Sequence, residues 1–82
     1  MTKNIGIYVF NEMEVLDFAG PFEVFSTASR VKIKMDPAAE KPFHVFTVGA
    51  NKGEISACGG LMILPSFELT NHPPLQLLII PG

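Results

Sequence analysis

The residue best placed to do chemistry is Asp17. It lies in the stretch Glu14-Val15-Leu16-Asp17-Phe18-Ala19-Gly20-Pro21-Phe22-Glu23-Val24-Phe25, just after an apolar run at residues 5–10. A carboxylate where a strand gives way to a helix has two uses. The commoner one is to stabilise the helix start, whose first backbone N–H groups lack partners. The other is to manage protons beside a nucleophile. Ligands of open α/β sheets bind outside the carboxyl ends of the strands, so the position suits the second use as well. Glu12 and Glu14 share the loop and are read as solvated charges, with Glu14 the stronger rival for the role.

The other reactive side chains make weaker cases. Cys58 is the only thiol and precedes Gly59-Gly60. The sequence places it in a hairpin far from the strand-to-helix junction, with no following helix to lower its pKa, so it reads as a small side chain in a tight turn. His44 falls inside a strand and His72 beside two prolines; neither has a second ligand at metal spacing, so no metal site is expected. Gly59-Gly60 lacks the lysine and the strand-to-helix setting of a phosphate loop. Ser26 and Ser66 have no recognisable base. Met13, Met35 and Met62 read as fillers of core gaps.

The elements that must position Asp17 follow from apolar patterning. Residues 5–10 form a short continuous apolar run, the pattern of a strand buried on both faces of a parallel sheet. Local rules would start the next helix with Gly20 as cap and Pro21 in the first turn. The recurrence of Phe18, Phe22 and Phe25, continued by Val24, Ala28 and Val31, favours an earlier start near Val15. Pro21 then lies inside the helix and is expected to bend it. Arg30, Lys32 and Lys34 bring positive charge to the helix end. A proline-bearing loop leads to a second strand at 43–48. Residues 54–57 and 61–64 read as a hairpin around Cys58-Gly59-Gly60, 66–69 as a helical turn, and 75–80 as a last strand. That strand is the most apolar and is expected near the centre of the sheet. The first and last strands should lie parallel and adjacent, through right-handed crossovers. Their carboxyl ends would then enclose a crevice lined by residues 11–17 and by Pro81-Gly82. The fold class is α/β, a flavodoxin-like three-layer sandwich of strand, helix, strand, hairpin and strand.

Composition narrows the setting. Hydrophobic residues make up 48% of the 82 and charged residues 17%, too little charge to cover the surface of so small a free-standing domain. Some apolar surface is therefore expected to meet further polypeptide or a partner chain. The net charge of −2 and the lack of any basic run beyond Arg30, Lys32 and Lys34 argue against nucleic-acid binding by this segment. A lone cysteine rules out an internal disulfide and fits a reducing, cytoplasmic compartment. The amino-terminal apolar run is too short for a signal peptide or a membrane span.

Leu16-Asp17-Phe18-Ala19-Gly20-Pro21, followed by Glu23-Val24-Phe25 and preceded by a first strand, resembles the opening of the DJ-1/PfpI superfamily of class I glutamine amidotransferase-like proteins. It looks closest to the isonitrile-hydratase-like members and to the sensor domains of some transcription regulators. Gly59-Gly60 and the closing Leu78-Ile79-Ile80-Pro81-Gly82 match the same pattern. The resemblance also favours the helix start near Val15. It implies that residues 1–82 are the amino-terminal part of one domain, ending before the strained turn that carries the family's nucleophilic cysteine. For the isonitrile hydratases it implies a reaction in which that thiolate adds to an isonitrile carbon and the thioimidate is hydrolysed to an N-substituted formamide. An acid at the Asp17 position moves protons, and no cofactor or metal is used. Such a carboxylate, set against a thiol, can hold one proton ready for transfer. The resemblance further implies a small-molecule substrate or ligand, a possible homodimer, and no activity for the 82 residues alone. The alternative it leaves open is a ligand-sensing domain of a transcription regulator.

Overall fold

A computed structural model describes residues 1–81; Gly82, expected to line the crevice, lies outside the described residues. The elements are β1 (Lys3–Tyr8), α1 (Val15–Met35), β2 (Phe43–Gly49), β3 (Ile55–Ser56), a 3-10 turn (Cys58–Gly60), β4 (Met62–Ile63), β5 (Phe67–Glu68) and β6 (Leu77–Ile79). Four strands form one parallel sheet in the order β5-β2-β1-β6, and β3 and β4 form a separate antiparallel pair. This is the flavodoxin-like α/β arrangement, with β1 and β6 side by side as the apolar runs implied. Ile5 and Ile7 of β1 and Val48 of β2 are buried, which accounts for the continuous apolar character of these strands. The β1–β2 pairing outlasts β1 itself, since the Val9 N–H still reaches the Val48 carbonyl at 2.9 Å.

The helix starts at Val15 and passes through Pro21 without ending. What overrides the local Gly20-Pro21 start signal is packing. Phe18, Phe22 and Phe25 are half-buried on one side, and Phe25 meets Phe43 of β2 edge to face at 5.0 Å. Ser29 continues this face and is the buried residue of the helix. Its hydroxyl donates to the Phe43 carbonyl at 2.9 Å and accepts from the Phe43 N–H at 3.1 Å. The expected continuation of the stripe through Val24, Ala28 and Val31 is not found: Val24 and Val31 are 65% and 48% exposed, and Ala28 is exposed too. An α-helix turns about 100° per residue, so Val24 beside Phe25 in sequence points well away from it in space. With Leu16, 78% exposed, these residues make a second apolar face on the outside of the helix.

Two further expectations are corrected. Residues 66–69 form no helical turn; Phe67 and Glu68 are strand β5, in register with Val48 and Gly49. The Leu69 N–H reaches the Gly49 carbonyl at 2.9 Å, and the Phe67 ring meets Phe46 at 4.9 Å. A long-range ladder and an aromatic contact outweigh a weak local helical preference. The last strand is shorter than residues 75–80, and among the described residues it occupies an edge of the sheet with Leu77 and Leu78 part exposed. Ahead of it, residues 74–76 are tied to Asn4. The Gln76 N–H donates to the Asn4 carbonyl at 3.0 Å, and the Asn4 amide donates to the Pro74 carbonyl at 2.8 Å.

Candidate functional site at the end of the first strand

The loop leaving β1 is held by the β3–β4 hairpin. The Glu12 N–H donates to the Ser56 carbonyl at 2.8 Å, the Cys58 N–H to the Met13 carbonyl at 2.9 Å, and the Ser56 N–H to Asn11 Oδ1 at 2.9 Å. Beneath these bonds Val9, Met13, Ile55 and Ala57 form a buried cluster, flanked by Phe10, Val15, Phe18 and Ile63. The loop is thus clamped to the hairpin, and within it Glu12 is held in the left-handed region at φ 67°. A side chain held there costs about 1–3 kcal/mol and persists because the surroundings over-determine it.

Cys58 is therefore not remote from the strand-to-helix junction, contrary to the reading of the sequence. Gly59 and Gly60, with φ of 82° and 85°, turn the hairpin tightly enough to lay the thiol on the loop. Its Sγ donates to the Glu12 carbonyl at 3.1 Å. Partial desolvation, then the Glu14 carboxylate and lastly that of Glu12, push this thiol above its ordinary range. A protonated thiol next to two carboxylates is a poor nucleophile. The corrected location leaves Cys58 unsuited to attack, and Asn11 is the sequence feature that could have signalled the clamp.

Asp17 occupies the first turn of α1, half-buried, with its N–H reaching the Glu14 carbonyl at 3.1 Å. Glu14 is the residue capping the helix by its backbone alone, and its side chain is exposed. Among the described residues the Asp17 carboxylate takes no hydrogen bond from a side chain or capping N–H, so it does not act as the helix cap. Helical phase places it further. Ser26 lines the groove over β2, and nine residues along a helix is two and a half turns, half a revolution out of phase. Asp17 thus projects from the flank turned away from that groove, nearly in phase with Val24 seven residues on. Pro21 adds a second acceptor there, for it has no N–H to give to the Asp17 carbonyl four residues earlier.

A cleft of about 180 Å³ opens at the carboxyl ends of β1 and β2, lined among others by Tyr8, Phe10, Asn11, Asn51 and Glu54. Tyr8 and Phe10 stack at 5.8 Å along one wall. Asp17 does not line this cleft. Pro81, at the end of β6, is buried. Among the described residues no three His, Cys, Asp or Glu side chains gather as a metal site would require, and no helix is long and apolar enough to cross a membrane.

No protein-family model matches the sequence, and no curated protein matches it. Solved structures do. A ThiJ/PfpI family protein from Pseudomonas syringae superposes on all of the chain with a TM-score of 0.77 and 22% identity, over 29% of its own length. The ThiJ/PfpI family protein from Bacillus anthracis is 31% identical, with a TM-score of 0.68, over 100% of this chain and 37% of its own. An AraC family transcriptional regulator from Pseudomonas putida aligns over 98% of this chain and 46% of its own, at 16% identity and a TM-score of 0.72. The chain spans less than half the length of each of these structures. Over the part it spans, it has the fold of the DJ-1/ThiJ/PfpI structures.

Proposed function

We propose that residues 1–82 form the first part of an isonitrile-hydratase-like domain, in which Asp17 handles protons for a cysteine supplied by polypeptide beyond this chain. The observation that carries the reading is the setting of Asp17: it stands half-buried in the first turn of the helix leaving β1, and its carboxylate takes no hydrogen bond from a described residue and does not serve as the helix cap. A carboxylate held so, facing a thiolate brought in at the end of β6, shares a proton with it. It can then protonate the isonitrile carbon as the C–S bond forms, giving the thioimidate, accept a proton from the water that attacks that same carbon, and pass it to the nitrogen as the C–S bond breaks and the thiolate leaves the formamide. The substrate class is a small isonitrile, no metal or organic cofactor takes part, and the setting is the cytoplasm. Cys58, protonated and hydrogen-bonded to the loop, is not the nucleophile.

The test is formamide production from an isonitrile by the complete gene product, compared with its Asp17→Asn variant. Loss of formamide in the variant, with the fold retained, supports the reading. Equal turnover by both would sink it, and so would turnover by the 82-residue chain alone that survives Cys58→Ala.

A second reading has its own support in the likeness to the AraC family regulator. The domain would then bind a small ligand without turning it over. Ligand-dependent DNA binding by the complete gene product, without formamide, decides for that reading.

The outer face of α1 supports a homodimer. Leu16, Val24 and Val31 line it, an exposed apolar surface that a second copy of the helix would cover.

A further inference from the structure

The carboxyl half of α1 and the leading end of β2 enclose a groove of about 460 Å³, at the opposite end of the sheet from Asp17. We propose that this groove binds a free amphiphilic monoanion, an apolar chain or ring that ends in a carboxylate.

Its floor is apolar, made by Ile33 of the helix and by Phe43 and Val45 of the strand. The one buried polar side chain beneath it, Ser29, is already satisfied by both backbone groups of Phe43. The floor therefore asks nothing polar of a ligand and rewards an apolar body by the area taken from water. The rim is cationic. Arg30, Lys34 and Lys41 line it, three of the chain's six Lys and Arg residues, while none of its eight Asp and Glu does. In a chain of net charge −2 that is a local reversal of sign. Arg30 gives one guanidinium nitrogen to Glu23 at 3.0 Å and to Thr27 at 2.9 Å; the rest of its fork is free for an acceptor. Lys34 and Lys41 form no ion pair with a described residue.

The size fits a small molecule, for which pockets run about 300–1,000 Å³. Three cations around one short apolar floor suit a single anionic head. A nucleic-acid backbone needs a longer basic track with a polar floor. The proposal rests on residues at the far end of α1 and stands apart from the reading of Asp17.

The experiment is a titration of the complete gene product followed through its backbone amide resonances. Octanoate is the probe, with acetate (head without tail) and octyltrimethylammonium (tail with opposite head) as comparators. Saturable shifts with octanoate at Ile33, Lys34 and residues 43–45, at least tenfold weaker with either comparator, are the expected result. The double variant Lys34→Glu/Lys41→Glu should weaken octanoate at least tenfold while keeping a dispersed spectrum. Equal response to octanoate and octyltrimethylammonium would overturn the proposal. So would shifts centred on the outer face of α1, no saturable shift, or binding to anionic vesicles without binding to monomeric octanoate.

Discussion

The Ser29 hydroxyl serves both backbone polar groups of Phe43, donating to its carbonyl and accepting from its N–H. A helix side chain thus stands in for a neighbouring strand at the start of β2, and locks α1 onto the sheet at one register. Replacing Ser29 by alanine leaves the two Phe43 groups without that partner in a part-buried setting. Stability should fall by about 1–3 kcal/mol, read as a lower urea midpoint with an unchanged m-value. An unaltered midpoint would show that water takes over both bonds.

Gly49 closes β2 where the chain comes back against itself. A Cβ there would lie 2.6 Å from Pro65 Cγ and 2.9 Å from the Asn51 carbonyl oxygen. The proline ring is rigid and the oxygen is backbone, so neither gives way easily. Gly49→Ala should destabilise the fold by about 1–3 kcal/mol and loosen the pairing of β2 with β5. Amide exchange at Leu69, whose N–H reaches the Gly49 carbonyl, reports that loosening directly.

Cys58 should alkylate more slowly at neutral pH than an unstructured thiol, because partial desolvation and then Glu14 hold it protonated. Glu14→Gln removes the second of these causes and should speed iodoacetamide labelling, the variant's rate profile moving to lower pH. For a thiol whose folded pKa is raised, the folded state keeps a proton that the unfolded state loses. The associated stability is complete below about pH 8.5 and is lost as pH rises through the folded value. Thermal melts of the wild type should therefore drop on the alkaline side more steeply than those of Cys58→Ser.

If α1 pairs with its copy, Val24→Lys places a charge in the middle of the outer apolar face and should shift sedimentation towards monomer. Phe18, Phe22 and Phe25 lie on the other side, so the circular dichroism of the helix should be unchanged. A monomeric wild-type chain at the same concentration removes the dimer.

How much of this was legible beforehand depends on the range of the interaction. The start of α1 was readable at Val15 because three phenylalanines at helical spacing outweigh one proline, and both signals are local. The parallel partnership of β1 and β6 followed from two apolar runs and the handedness of crossovers. The outer face of α1 is hidden from spacing alone, because Val24 and Val31 lie close to the phenylalanine stripe in sequence but out of phase with it around the axis. Strand β5 was invisible, since two residues carry no period and their ladder partners, Val48 and Gly49, lie far back in the chain.

Neighbours along the chain are enough to place β1, α1 and β2 and to stand a carboxylate at the end of the first strand, because the apolar runs and helical spacing that mark them are local. Only the tertiary structure decided what meets that carboxylate's loop. The hairpin around Gly59-Gly60 folds back on Glu12 and Met13, and sets Cys58 where partial desolvation and then the Glu14 and Glu12 carboxylates push its thiol pKa up. It also gathered Arg30, Lys34 and Lys41 around one apolar floor, because a helix end and a strand start become neighbours only once the sheet has formed.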